Sequence, residues 1–225
     1  MSRPTPVVFL VDVDNTLIDN DGVQADLRAH LEKEFGPACR DRYWAILEQL
    51  FSELGYRDYL GALQRYRVEH PEDMGLLELS SWLVDYPFAE RLFPRALEAV
   101  AHLATIGRPV VLSDGDIVFQ PRKIQRSGIA AAVDGRVLIY VHKEKVLDHV
   151  QSRYPAKHYV MVDDKSNLLA AMKLSMGSRL TTVFVRQGHY ANDPQANTVD
   201  PAPDLVIERI EDLILLKPTD FKVPL

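Results

Sequence analysis

Two aspartates with one residue between them stand near the start of the chain, at the end of a short apolar run. The run Val7–Val11 leads directly into Asp12, and Asp14 follows after Val13. In an extended chain, side chains at positions i and i+2 point to the same side, so the two carboxylates are expected to converge. Like charges at close range are unfavourable unless one group is protonated or a cation lies between them. Capping of a following helix accounts for one aspartate at a strand end, but not for this pair.

A second apolar run also ends in carboxylates, because Tyr159–Val162 is followed by the adjacent acids Asp163 and Asp164. Carboxylates gathered at the ends of two strands need a hard divalent cation, and Mg²⁺ prefers oxygen ligands together with a substrate phosphate. A carboxylate can also act as a covalent nucleophile through an aspartyl-phosphate, which divides hydrolysis into two easier displacements. The sequence therefore predicts phosphoryl transfer with Mg²⁺ as cofactor. The predicted metal ligands are Asp12, Asp14, Asp163 and Asp164.

Other polar residues follow two further apolar runs. Ser113, Asp114 and Gly115 come after Val110–Leu112, and a lysine-containing segment comes after Val137–Val141. Phosphoryl transfer requires positioning and charge neutralisation, which a hydroxyl, a lysine and backbone amides can supply. A glycine lets the backbone approach a ligand closely. Alone, a serine at a strand end is usually a turn residue and a lysine is usually solvated, so these residues gain weight only beside the acids.

Taken together, these motifs resemble those of haloacid dehalogenase-like hydrolases. Asp12-Val13-Asp14-Asn15-Thr16 resembles the D-x-D-x-T first motif of that family, and the other features follow in the order that the family requires. The resemblance implies that Asp12 is the nucleophile and that Asp14 is first the general acid and then the general base. It implies that Ser113, with the backbone of Asp114 and Gly115, binds the phosphoryl group.

For the lysine and for the last metal-binding acid, the sequence offers two candidates each. The resemblance implies that Lys143 neutralises the nucleophile and phosphate, with Lys145 as a competitor for that position. Asp163 and Asp164 are similar to a less common double-aspartate form of the fourth motif, so which of them contacts the metal stays open. The dehalogenases of the family lack an acid at the position of Asp14 and need no metal. The acid at this position therefore favours phosphate esters over halogenated acids.

These residues must be positioned by a sheet, and the apolar pattern predicts one. Short β-branched runs are typical of strands that are buried on both faces. The predicted strands are Val7–Val11, Val110–Leu112, Tyr159–Val162, Thr182–Val185 and Leu205–Ile207. Helical patterns lie between them at Pro94–Ile106, Lys145–Arg153 and Asn167–Met176, the last preceded by Ser166 as an N-cap. This alternation predicts an α/β fold with a doubly wound, Rossmann-like parallel sheet.

The chain between the first two strands has a different pattern. Residues 19–93 contain amphipathic helical patterns at Val23–Phe35, Tyr43–Leu54 and Leu60–Val68 and no convincing strand pattern. We therefore predict a core of residues 1–18 and 94–225 and an all-helical cap of residues 19–93, which covers the sheet edge where α/β proteins bind ligands. One or two of its aromatic and arginine side chains are expected to reach substrate. These are Tyr43, Trp44, Tyr56, Arg57, Arg65, Tyr66 and Arg67.

Composition narrows the function further. A net charge of -6 over 225 residues argues against nucleic acid or an anionic membrane as the main partner. A single cysteine and an N-terminal apolar run of five residues favour a cytoplasmic protein without disulfides. We expect a phosphatase for a small phosphorylated metabolite, as a monomer or homodimer. The alternatives are a phosphomutase of the same family and a non-catalytic binding or regulatory protein. A phosphoaspartate receiver domain has no room for an insertion of this size.

Overall fold

In the computed structural model, which describes residues 5–73, 75–192 and 198–223, six parallel strands form one sheet. The strands are β1 (Thr5–Val11), β2 (Arg108–Asp114), β3 (Val137–Tyr140), β4 (Ala156–Asp163), β5 (Leu180–Val185) and β6 (Leu205–Ile207). Their order is β3-β2-β1-β4-β5-β6, so the chain reverses direction across the sheet between β1 and β4. Ligands of open α/β sheets bind at such a switch point, beyond the carboxyl ends of the strands. The predicted doubly wound α/β fold is confirmed.

Both faces of the sheet are buried, which explains the unbroken apolar runs. In β1, Val7, Phe9 and Val11 contribute to one apolar cluster, whereas Val8 and Leu10 contribute to the cluster on the opposite face. Side chains alternate between the faces of a strand, so a strand covered on both sides needs apolar residues at every position. The central strands were recognisable from the sequence for this reason.

Helices cover the sheet and form the region between β1 and β2. They are α1 (Asn20–Leu54), α2 (Tyr59–Glu69), α3 (Leu76–Asp85), α4 (Ala96–Ile106), α5 (Phe119–Arg126), α6 (Ile129–Ala132), α7 (Leu147–Arg153) and α8 (Ser166–Met176). Helix α1 is interrupted at Gly36, where φ is 84°, and Pro37 follows. The break falls between the two amphipathic patterns predicted there. Ser166 is the first residue of α8, with Lys165 at the capping position, so its predicted N-cap lies one residue too late.

The region between β1 and β2 is joined to the sheet by a narrow stem. Ile18 forms an isolated antiparallel bridge with Leu92. The Asp19 amide donates to the Arg91 carbonyl oxygen at 2.7 Å, and the Phe93 amide donates to the Leu17 carbonyl oxygen at 2.9 Å. The predicted boundaries of the cap, 18/19 and 93/94, fall at this stem, and we keep the word cap for residues 19–93. No helix among the described residues combines the length and the apolar character needed to cross a membrane.

Candidate active site

Three buried carboxylates meet at the switch point of the sheet. Asp12 follows β1 and Asp163 ends β4, and the Asp12 amide donates to the Val162 carbonyl oxygen at 3.0 Å, which fixes the two strand ends side by side. One carboxylate oxygen from each of Asp12, Asp163 and Asp164 lies within 4.8 Å of the others. The exposed fractions of these residues are 4%, 0% and 0%. Three of the four predicted metal ligands are therefore together.

Asp164 is the least satisfied of these acids. Both of its carboxylate oxygens are buried and have no hydrogen-bond partner among the described residues. Burial, followed by the charges of Asp163 and Asp12, raises the pKa of Asp164 well above its usual range. A buried polar group without a partner is costly, so such a group points to a missing ligand or ion. Three carboxylates with free oxygen atoms form a donor set that suits a hard divalent cation such as Mg²⁺.

Lys143 is the lysine that reaches the acids. Its ammonium group is buried, and Nζ lies 2.5 Å from Asp12 Oδ1 and 2.7 Å from Asp163 Oδ2. Burial alone would lower the pKa of Lys143, but the charges of Asp12, Asp163 and Asp114 outweigh burial and raise it. Lys145, the competing lysine, is exposed on the same turn. Of the two, Lys143 therefore occupies the predicted position.

The protonation of Asp12 depends on its neighbours. Burial raises the pKa of Asp12 to about 7, Asp163 adds to the increase, and Lys143 opposes it. Near neutral pH this carboxyl group is thus partly protonated unless further positive charge is supplied. A cation among the three acids would favour the ionised form, which is the form that can act as a nucleophile.

Asp14 faces a different set of partners. Its carboxylate lies outside the three-acid cluster and accepts a hydrogen bond from Lys123 Nζ at 2.7 Å. Lys123 is 1% exposed and also donates to Asn20 Oδ1 at 2.9 Å. Gln120 Nε2 lies 3.4 Å from Asp14 Oδ2. The chain turns after Val13, with φ of 57° at Asn15, so the expected side-by-side placement of Asp12 and Asp14 gives way to two separate environments.

Lys123, Gln120 and Asn20 were not predicted from the sequence. Lys123 and Gln120 lie on α5, whose buried positions also include Phe119 and Ile124. A lysine and an amide on the buried side of a short helix were the available signal, because such groups are rarely buried without a partner. The partner, however, is more than 100 residues away in the chain.

Ser113 and Asp114 end β2 and Gly115 follows it, so the predicted phosphoryl-binding segment lies at the carboxyl end of this strand. Ser113 is 1% exposed, and its Oγ accepts a hydrogen bond from Gln120 Nε2 at 2.9 Å. Asp114 Oδ1 accepts a hydrogen bond from the Lys143 amide at 2.7 Å, which ties β2 to the lysine turn, and burial raises the pKa of Asp114. A Cβ atom at Gly115 would lie 2.7 Å from Gln120 Cβ. Position 115 therefore requires glycine because the Gln120 side chain lies too close to leave room for a Cβ atom.

A small pocket of about 90 Å³ lies over these residues. From the sheet side it is lined by Asp14, Asp114, Gln120, Asp164 and Lys165, and from the cap by Gln24, Phe51, Tyr56, Arg57 and Tyr59. Of the seven cap residues considered from the sequence, Tyr56 and Arg57 line this pocket. Tyr43 is buried and donates to the Tyr59 carbonyl oxygen at 2.8 Å, and Arg65 pairs with Glu53 at 2.6 Å.

Solved structures resemble this chain over almost its whole length. A haloacid dehalogenase-like hydrolase of Burkholderia xenovorans LB400 is 61% identical, with a TM-score of 0.90 over 95% of this chain and 100% of that one. The HAD hydrolase YfnB of Bacillus subtilis, bound to magnesium, is 16% identical with a TM-score of 0.60, over 94% and 97%. The L-2-haloacid dehalogenase of Xanthobacter autotrophicus is 18% identical with a TM-score of 0.58, over 94% and 97%. The last two similarities concern the fold alone. No family model and no curated protein sequence matches the chain.

Proposed function

The chain belongs to the haloacid dehalogenase-like hydrolases, and from this premise we propose that it is a Mg²⁺-dependent phosphohydrolase that acts on a small phosphorylated metabolite through an aspartyl-phosphate. One observation carries the proposal: both carboxylate oxygens of Asp164 are buried beside Asp12 and Asp163, and they have no hydrogen-bond partner in the part of the chain that the structure describes. Burying the ionised form of a third acid beside two others is costly unless a cation neutralises the cluster.

The charge balance of the site supports the same conclusion. The acids that form the three-acid cluster or interact with the buried lysines Lys123 and Lys143 are Asp12, Asp14, Asp114, Asp163 and Asp164. Against these five carboxylates stand three ammonium groups, those of Lys123, Lys143 and Lys165. When all are ionised, two negative charges remain, which is the charge that one divalent cation neutralises.

Asp12, Asp163 and Asp164 are the residues that would hold the cation. When bound, Mg²⁺ would neutralise negative charge on the phosphoryl oxygens and favour the ionised form of Asp12. The carboxylate of Asp14, the fourth predicted ligand, instead accepts a hydrogen bond from Lys123. Because this side chain is not among the three that would hold the cation, it is available for proton transfer.

The protein groups then divide two displacements between them. Asp12 attacks phosphorus with the carboxylate oxygen that Lys143 does not hold, the ester P–O bond breaks, and Asp14, which enters this step protonated, gives its proton to the leaving oxygen. In the second step Asp14 takes a proton from water, the water oxygen attacks phosphorus, and the bond to Asp12 breaks. Lys143 and the Ser113 hydroxyl stabilise the charge of the phosphoryl group in both steps.

The test is phosphate release from p-nitrophenyl phosphate with Mg²⁺, after exhaustive chelation and after the metal is restored. We expect activity that chelation abolishes and Mg²⁺ recovers, and that is absent from Asp12→Asn. Full activity in the chelated protein would contradict the metal assignment. Chloride release from 2-chloropropionate without phosphatase activity would make the protein a dehalogenase. Sugar-stimulated interconversion of sugar phosphates without phosphate release would make it a phosphomutase.

A further inference from the structure

Two cavities adjoin each other at the cap. The pocket over the acids shares Gln24, Arg57 and His189 with a second, more open cavity of about 330 Å³. The second cavity is completed by Asp21, Ala25 and Arg28 from the first turns of α1. Asp14 and Asp164 line the first cavity and Arg57 lines both, so the two cavities lie side by side between the acids and Arg28.

Arg57 stands at the junction in a fixed orientation. Its guanidinium carbon lies 4.7 Å from the centre of the Phe51 ring, and Nη2 donates to Glu48 Oε1 at 3.1 Å. The Nε donor is buried and has no hydrogen-bond partner among the described residues. A guanidinium group can donate five hydrogen bonds in a rigid fork, so Arg57 retains capacity for another acceptor.

Arg28 adds a second positive charge. Its guanidinium carbon lies 3.7 Å from the centre of the Trp44 ring, which orients the group but does not neutralise it. Arg28 is exposed and, in the described part of the chain, has no carboxylate within ion-pair distance. Most other arginines of the cap do have one. The paired residues are Arg40, Arg42, Arg57, Arg65 and Arg91.

The acid that lines the second cavity is already engaged. Asp21 Oδ1 accepts a hydrogen bond from Asn15 Nδ2 at 3.0 Å and lies 2.7 Å from His189 Nδ1. Asp21 Oδ2 accepts from the His189 amide at 2.8 Å. The charged groups of this cavity that keep donors for a ligand are thus Arg28 and Arg57, the latter through its Nε, and the Gln24 side chain lies beside them.

We propose that this second cavity is a subsite for a second anionic group of the substrate, bound by Arg57 and Arg28. The substrate class is then a phosphate monoester that carries a carboxylate or another phosphate several bonds from the transferred phosphoryl group. Guanidinium groups pair with both kinds of anion, often in a bidentate manner. This inference rests on the proposed function.

The experiment compares three series of phosphate monoesters with chains of two to six carbons. One series ends in a hydroxyl group, one in a carboxylate and one in a second phosphate, so each length supplies a matched trio. For the wild-type protein with Mg²⁺ we expect kcat/KM at the best length to be about tenfold or more higher for an anionic end, as one charge-assisted hydrogen bond supplies. The better of the two anionic series identifies the anion.

Two variants and a control assign the preference to the subsite. Arg57→Gln and Arg28→Gln should each reduce the ratio of anionic to neutral kcat/KM, mainly through KM, because a remote group binds ground and transition states alike. Arg67→Gln removes an exposed arginine of α2 that lines neither cavity, and it should keep the ratio of the wild type. Binding of the same compounds to Asp12→Asn, measured by calorimetry, should show the same order.

Two outcomes would overturn the subsite while the proposed function stands: equal kcat/KM for all three series, or a preference that survives both substitutions. Failure to hydrolyse p-nitrophenyl phosphate or any compound of the series would instead overturn the proposed function, and the subsite as a substrate site with it.

Discussion

At the scale of single residues, the site separates two aspartates that are neighbours in the chain. Asp12 meets Lys143, Asp163 and Asp164, whereas Asp14 meets Lys123 and Gln120. One acid is thus buried among charges, and the other borders the pocket. Two carboxylates in such different environments are suited to different tasks, one covalent and one in proton transfer.

Replacing each of the two by asparagine should therefore give different defects. Asp12→Asn removes the atom that forms the covalent bond and should abolish both turnover and labelling by a beryllium fluoride type phosphate mimic. Asp14→Asn should still bind metal, because Asp12, Asp163 and Asp164 are kept, and should slow leaving-group protonation and hydrolysis of the aspartyl-phosphate. A nitrophenolate leaving group needs little protonation, so a burst of product should precede a slow steady state.

Stopped-flow release of nitrophenolate from both variants distinguishes these roles. A burst that persists in Asp12→Asn and disappears in Asp14→Asn would reverse the assignment and with it the alignment of the first motif.

Asp163 offers a test of the metal site. Asp163→Asn removes one negative charge with little change in volume, so Mg²⁺ affinity should fall by about tenfold or more. Thermal stability without metal should change less, because the substitution also relieves repulsion among three close acids. Metal titration with parallel unfolding measures both quantities. Asp134→Asn, an exposed acid paired with Arg136, serves as the charge-matched control. An unchanged metal constant would leave Asp12 and Asp164 as the ligands.

At the scale of elements, α5 links the core to the cap. Its Lys123 joins Asp14, which follows β1, to Asn20, the first residue of α1. The position of the Asp14 side chain and the start of the cap are thus held by one ammonium group. A helix of eight residues supplies this contact and the amide that holds Ser113.

Lys123→Met should therefore impair chemistry that depends on Asp14. It keeps most of the side-chain volume but removes the donor, so kcat for alkyl phosphates, which need a protonated leaving group, should fall by about ten- to a hundredfold. Hydrolysis of p-nitrophenyl phosphate should suffer less in its first step. Arg126→Met, on the same helix and paired with Asp85, is the control. Equal losses for both substrates, in step with a loss of thermal stability, would reduce Lys123 to a structural role.

The strands that are buried on both faces of the sheet could be predicted from the sequence. Val7–Val11 and Tyr159–Val162 were recognisable because a strand between two helical layers must be apolar at each position. Helix α5 was not predicted, since it is short and carries Pro121 in its first turn. The contacts of Lys123 were beyond a local pattern, because they depend on how β1, α1 and α5 pack. The sequence predicted that the acids lie near one another. It did not predict that Lys143 pairs with Asp12 and Asp163 while Lys123 pairs with Asp14.

At the scale of the whole molecule, we expect proton binding and the proposed binding of Mg²⁺ to be coupled to stability. Burial raises the pKa of Asp12 from 3.8 to about 7, so the protonated form stabilises the folded protein below about pH 4. This contribution is lost as the pH rises toward and through about 7. The metal-free protein should accordingly become less stable across this interval, by the order of a few kcal/mol.

Mg²⁺ should reverse this trend, because it binds the deprotonated acids. We expect the increase in Tm on adding Mg²⁺ to be larger at pH 8 than at pH 5, measured by calorimetry against NaCl of equal ionic strength. Asp12→Asn, which cannot ionise at this position, should show a flatter pH dependence. Equal shifts of Tm at both pH values would separate metal binding from these carboxyl groups.

The strand order also determines how long β1 exists in the nascent chain before its partner strands are synthesised. Val8 pairs with Arg108 on one side and with Tyr159 on the other, so its neighbours leave the ribosome roughly 100 and 150 residues later. At about 5–20 residues per second, the apolar strand β1 waits roughly 5–20 s with both edges unpaired, and roughly 8–30 s until its partner β4 has been made. Unpaired apolar strands are templates for aggregation. The helices inserted between β1 and β2 lengthen the first part of this delay. The cap thus prolongs the time during which Val7–Val11 of the nascent chain must be kept from aggregating, and this time ends when β4 has been synthesised.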